Sequence, residues 1–306
     1  MSSFQLPPEI CDAHHHLWNP VSNDPDIGYK WLKDIGAPKP FGDPTPIQRD
    51  YLLPELHSDV APTTLRASVH LQADGAIPDP VAETRWIQQQ ADLHGHQMAI
   101  VGFVDLSRPD AAAVIDAHQK SPVFRGVRQI LSRLDDAPQI SFAGEHFVKN
   151  PRWRDQFQLL TDAGLRFDLQ CYPEQMPDVA EFLSHHPQVP VVIDHAGSPY
   201  NQSPAGLLAL NDGLAALAAL PQVSIKWCGL GMFDPHWTRE SVQPVWDCIR
   251  ENFAMDRILF ASNFPVDKLM KSYRFLLEVA AMLVAGEVPA DQQKFFAGNA
   301  RRFYDI

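Results

Sequence analysis

The sequence predicts a (β/α)8 barrel. Eight short β-rich apolar runs alternate with eight longer helical patterns along the whole length. Polar residues gather at the C-terminal ends of the apolar runs, where a barrel of this kind carries its chemistry. No glycine-rich turn follows the first run, which disfavours a doubly wound sheet. The expected strands occupy 11–17, 67–72, 99–106, 126–131, 166–171, 191–195, 223–227 and 258–262. The helical patterns cover 79–93, 110–120, 152–163, 176–185, 205–219, 240–253, 268–285 and 291–303. Their punctuation agrees with this reading. Asn150-Pro151 opens one helix with proline where its missing N–H costs nothing. Gly164 follows that helix where a left-handed residue is wanted, and Ser107 and Thr238 are placed to cap two others.

Nothing in the sequence splits residues 1–306 into more than one domain, and 45% hydrophobic content over 306 residues suffices for one large α/β core. A net charge of −12, from 37 acidic against 25 basic residues, excludes nucleic acid as a partner, which needs a basic face. No basic amphipathic stretch suits a membrane surface, and the longest apolar runs, such as 279–285, fall far short of the roughly 20 residues that span a bilayer. The opening MSSFQLPPEI has neither a charged nor an apolar signal region. Cys11, Cys171, Cys228 and Cys248 are widely spaced and form no CxxC, so a reduced cytoplasmic protein is expected. The expected partner is a small-molecule substrate, with homo-oligomerisation left open. The one irregular stretch, 19–64, is rich in Pro, Asp and Gly, carries Trp31, Phe41 and Tyr51, and reads as a functional loop or lid.

The chemistry begins at Asp12-Ala13-His14-His15-His16. On a strand, alternation puts His14 and His16 on one face, a two-imidazole clip for a metal, and turns His15 away into packing or solvent. His195 ends the apolar run Val191-Val192-Ile193 and supplies a third imidazole at a strand end. Asp194 would then point to the opposite face and act structurally. Strand four ends with Arg125 and Arg128, either of which can hold a substrate carboxylate as a two-pronged donor or pair with a neighbouring acid; Arg128 has the better parity if Gly126 faces inward with it. Gln170 and Lys226 stand at the ends of strands five and seven, and Trp31 and Tyr172 could wall a pocket. Asn263 occupies the strand-eight end, where a carboxylate would be useful. An amide can coordinate weakly but cannot take a proton near neutral pH, and a turn residue is the alternative reading.

The ordered set DAHHHLW (12–18), FRGVRQ (124–129), VIDHAGSP (192–199), KWCGLG (226–231) and ILFASNFPV (258–266) resembles the amidohydrolase superfamily over nearly the whole chain. Within it, the set resembles the amidohydrolase-2 group of TIM-barrel metal-dependent hydrolases, which includes sugar lactonases, sulfomuconolactone hydrolase and 2-pyrone-4,6-dicarboxylate lactonase. The resemblance implies a distorted barrel that hydrolyses a cyclic ester. The family's HxH pair falls on His14 and His16, its strand-six histidine on His195, and its strand-eight aspartate on Asn263. Strand five offers Gln170 where binuclear members have a metal-binding histidine. The implied centre is therefore mononuclear, with zinc as the expected ion, and a metal-independent site remains compatible with the group. His195, Asn263 and Arg128 are the expected catalytic residues; Arg125, Gln170, Lys226, Trp31 and Tyr172 are expected around the substrate. A metal-dependent decarboxylase, or a barrel that binds a small molecule without turning it over, are the alternatives.

Overall fold

A computed structural model describes residues 5–21, 27–37, 39–74 and 78–306. The segment MSSF at the start, and 22–26 and 38 within the expected irregular stretch, lie outside the described residues. Eight parallel strands run in chain order around one sheet: β1 (Glu9–His15), β2 (Thr64–Leu71), β3 (Gln97–Phe103), β4 (Phe124–Arg128), β5 (Arg166–Leu169), β6 (Val191–Ile193), β7 (Val223–Trp227) and β8 (Ile258–Phe260). The expected barrel is thus found, with several strands beginning up to three residues earlier and ending up to three earlier than their apolar runs.

Alternation along the strands, interrupted on β1 by register shifts at Ile10/Cys11 and between Asp12 and His15, sorts side chains into two layers. Ile10, Ile100, Phe167, Leu169, Val191, Ile193, Ile225, Ile258 and Phe260 face the helices in the larger core. Cys11, Ala13, Ala67, Val69, Ala99, Val101, Val192, Leu259 and Ala261 fill the barrel interior, where eight strands leave room for small side chains. Asp168 and Lys226 lie between outward-facing neighbours and so belong to the interior, fully buried.

The sheet closes between β1 and the end of β8. The Asn263 amide donates to the His14 carbonyl and the His16 amide to the Phe264 carbonyl, both at 2.7 Å. Behind this seam, one Asp12 carboxylate accepts from the Ser262 amide (2.9 Å), the Ser262 hydroxyl (2.6 Å) and the Tyr273 hydroxyl (2.9 Å). With the His14 amide at 3.1 Å, four donors on one buried carboxylate satisfy it without a cation.

The helices carry the expected punctuation with local differences. Asn150 and Thr238 cap Pro151–Gln156 and Arg239–Asn252 by accepting from Trp153 and Ser241 amides. Ser107 caps nothing; its hydroxyl is spent on Asp105. The pattern at 268–285 opens on a 3-10 turn at Asp267–Leu269 and becomes an α-helix only at Tyr273, where Ser272 takes the cap and accepts from the Phe275 amide. The pattern at 291–303 is divided by a π-helical turn at Lys294–Gly298. Among its described residues, the stretch read as irregular holds a 3-10 turn at Thr45–Ile47 and two α-helices, Lys30–Lys33 and Leu53–Val60, the second of which buries Leu53, Leu56 and Val60. Lys268 ties that helix to the barrel mouth through Glu55 (2.7 Å) and Asp59 (2.6 Å). Among the described residues no helix is long and apolar enough to cross a membrane.

Candidate active site

Three imidazoles meet at the seam end of the barrel. The His14 ring centre lies 5.1 Å from that of His16 and 4.7 Å from that of His195. His14 is set by β1 and by Asp194, whose Oδ1 lies 3.3 Å from His14 Nδ1. Burial alone would raise the Asp194 carboxyl, but Lys226 and His14 hold it well below its ordinary range, so it is an ionised acceptor. His14 Nδ1 therefore carries the proton, and its Nε2 is left with a free lone pair, buried and without a partner. His16 is oriented in the same manner by the Leu71 carbonyl, which accepts from its Nδ1 at 2.8 Å, and its ring lies parallel to Trp18 at 6.0 Å. His15 turns away as expected and packs, bonded to the Ser68 hydroxyl at 2.8 Å.

His195 arrives by a backbone device that strand alternation does not foresee. It and Ala196 both take left-handed φ of 53°, which swings the imidazole back toward the face that Asp194 already occupies. Both side chains thus serve one site, and the expectation that Asp194 would face away is corrected. Gly229 completes the fit: with φ +70°, it passes so close that a Cβ there would sit 2.3 Å from His195 Nδ1. Burial keeps all three imidazoles from charging, holding His14 and His16 well below the ordinary histidine range and His195 at about 3. They are neutral donors of lone pairs at neutral pH, the state metal ligation needs.

A cavity of about 620 Å³ opens above these rings, with His16, His195, Arg128, Gln170, Asn263 and Trp31 in its lining. Arg128 donates to the Gln72 carbonyl at 2.7 Å, stands 3.6 Å from Asp194, and keeps a buried Nε without a partner. Asn263, at φ 58°, has a buried Nδ2 without a partner. Trp31 is fixed through its Nε1, which donates to the Ala73 carbonyl at 2.9 Å; Trp18 meets it edge-on at 5.4 Å and Phe41 at 6.2 Å.

Three residues expected around the substrate stand elsewhere. Arg125 shares the outward parity of Val127 and bonds the carbonyls of Pro122 (2.7 Å) and Phe124 (3.1 Å), away from the cavity. Tyr172 lies beyond β5, fully buried, its hydroxyl spent on the Ile140 carbonyl. Lys226 lies beneath the histidines, without exposure, bonded to Asp168 and, at 2.9 Å, to Asp194. Tyr304 also donates to Asp168, at 2.6 Å, so the pair of acids shares one lysine and one phenol. His70, at the end of β2, accepts from the Leu17 amide at 3.2 Å and stays structural.

Two buried groups escape the strand-end reading. Cys228 follows Lys226 at inward parity, and its Sγ lies 3.7 Å from His195 Nδ1; the wide cysteine spacing gave no hint of it. Asp267 stands one turn past Asn263, takes the Gly229 amide at 3.0 Å, and is pushed by burial up to about 8. Its ordinary value is 3.8, so the folded state keeps a proton that the unfolded chain releases. The stability tied to this proton is complete below about pH 4 and is lost as pH rises through about 8. Urea midpoints at pH 4, 6 and 8 should show the wild type losing ground to Asp267→Asn with rising pH; a constant difference between the two would contradict this.

Ligand-capable atoms of His14, His195 and Cys228 lie within 4.8 Å of one another, all three residues buried, while His16 stands just outside that group on the cavity side. This donor set suits a borderline-soft divalent cation.

Comparison with known proteins agrees with the barrel. The amidohydrolase family profile (Amidohydro_2) matches residues 11–306. The chain is 34% identical over 297 residues to protein y4mH of Sinorhizobium fredii, covering 97% of this chain and 98% of that one. It is 28% identical to an L-fucono-1,5-lactonase of Burkholderia ambifaria, covering 96% and 95%. An amidohydrolase of Burkholderia multivorans crystallised with bound zinc superposes with a TM-score of 0.79 at 26% identity, covering 97% and 99%.

Proposed function

The chain belongs to the amidohydrolase family, and from that premise we propose that it is a lactonase, opening a sugar lactone or a carboxylated, muconolactone-type cyclic ester with water. The observation that carries this reading is the convergence of three neutral imidazoles at a cavity floor beside an arginine with an unpartnered donor. Similarity to a lactonase over 96% of the chain supports the ester as the bond broken.

Each residue has a role that its surroundings allow. Arg128 directs its free Nε to a substrate carboxylate, which fixes the ring over the histidines. Asn263 donates from Nδ2 to the lactone carbonyl oxygen, where negative charge grows as water adds. An amide cannot remove a proton from that water, so the task passes to the neutral imidazole of His16, whose Nδ1 is held by the Leu71 carbonyl and whose Nε2 lone pair is free on the cavity side. Gln170 and Trp31 border the substrate on the remaining sides. A single divalent cation, zinc as in the Burkholderia multivorans relative, would be held at His14 and His195 with His16 beside it, and would supply Lewis acidity toward the carbonyl and the attacking water. Four unpaired cysteines fit a cytoplasmic setting.

Acid release from a panel of sugar lactones and muconolactones, followed at constant pH, tests the reading. Arg128→Ala should raise KM for carboxylated members by roughly 10- to 150-fold, the equivalent of losing a charged hydrogen bond of about 1.5–3 kcal/mol. Arg125→Ala should leave KM unchanged. Carbon dioxide evolution from a muconate-type acid, or calorimetric binding of lactones without turnover, would replace the reading.

A further inference from the structure

We infer that Cys228 is the anionic ligand of a His14–His195–Cys228 cation site, leaving His16 on the cavity side to face substrate. This rests on the single-ion reading above and assigns its donor atoms.

Geometry carries the assignment. The three ligand-capable atoms fall within 4.8 Å of one another. A tetrahedral zinc with a nitrogen at about 2.05 Å and a sulfur at about 2.3 Å sets those two atoms about 3.6 Å apart; Cys228 Sγ and His195 Nδ1 stand 3.7 Å apart. His14 brings a second, independent observation. Its Nδ1 is engaged by Asp194, and its Nε2 is wholly buried with no hydrogen-bond partner, an arrangement that costs free energy unless something accepts the lone pair. His16, by contrast, belongs to the cavity lining and stands outside the tight group.

Charge gives the reason for a thiolate. Asn263 is neutral where a carboxylate could have balanced a dication, and Asp194 is already shared between Lys226 at 2.9 Å and Arg128 at 3.6 Å. Cys228 is the remaining acidic group within reach of His14 and His195 in that cluster. On binding, the S–H proton leaves to solvent as the sulfur–metal bond forms, so cation uptake releases a proton and removes one unit of positive charge from the floor. Two imidazoles and one thiolate leave a fourth tetrahedral position open, the pattern of catalytic zinc centres. Gly229 is the structural condition for it, since any side chain there would push His195 off the sulfur.

X-ray absorption at the zinc edge of the zinc-loaded, full-length protein tests this directly. The wild type should show one sulfur at about 2.3 Å beside nitrogens at about 2.0–2.1 Å. Cys228→Ser should lose the sulfur shell and bind zinc at least about tenfold more weakly, a loss that even groups merely supporting a ligand produce; Cys248→Ser should keep both. The wild-type spectrum decides even if Cys228→Ser fails to fold. A nitrogen-and-oxygen shell at full zinc occupancy overturns the thiolate ligand and leaves the single-ion lactonase standing. Failure to take up zinc, with lactones still hydrolysed, overturns both the ligand and the ion. A sulfur shell with no lactone turned over keeps the ligand and overturns the activity.

Discussion

Lys226→Met should cost the fold about 3–5 kcal/mol, as expected when one partner of a buried charge cluster is removed. The side chain is fully buried, bonded to Asp168 and lies 2.9 Å from Asp194; the ammonium also sits 5.5 Å over the Tyr304 ring. Without it Asp168 keeps only the Tyr304 hydroxyl, and the nearest cation left to Asp194 is Arg128 at 3.6 Å. Against a typical total stability of about 5–15 kcal/mol, the loss would be large, visible as a lowered urea midpoint at unchanged slope. The loss should appear without substrate, because Lys226 takes no part in the cavity lining. A decrease below about 1 kcal/mol would mean that the acids share a proton and need no lysine.

His14→Ala/His195→Ala should lower kcat/KM on every lactone of the panel by at least about 10³-fold, within the range reported for acid–base and electrostatic groups. The two rings act on one reacting centre, so the double variant should be little worse than the poorer single one. Wild-type turnover in the double variant on all substrates would end the assignment of chemistry to this floor. Melting curves should accompany the rates, since the His14 ring also contacts Asp194 at 3.3 Å.

The barrel was legible because its apolar runs and strand-end polar residues repeat eight times, a signal that no single boundary error can erase. Helix Leu53–Val60 was not, since a Leu-Pro start inside a Pro- and Asp-rich stretch hides eight residues of amphipathic pattern. Parity separated Arg128 from Arg125 correctly, because β4 runs regularly to its end. It failed at Asp194 and His195, where positive φ values at four consecutive residues, His195 to Ser198, break the alternation. Lys226 and Cys228 share the inward face of one strand, yet their depth beneath the cavity depends on how the whole barrel packs, which no local pattern encodes. Arg128, Gln170, Asn263 and Trp31 border the cavity because their strands or loops end at its rim.

The hydrogen bonds across the seam separate architecture from chemistry at position 263. What joins β8 to β1 there is the main-chain amide of that residue, which any amino acid except proline would supply. What restricts its identity is a φ of 58°, a region that asparagine and aspartate enter more readily than other side-chain-bearing residues. An amide and a carboxylic acid are therefore exchangeable at this point with little disturbance to the histidines it faces. A lineage can gain or discard a proton acceptor over the substrate in a single substitution, at the cost of setting a second carboxyl beside the buried Asp267.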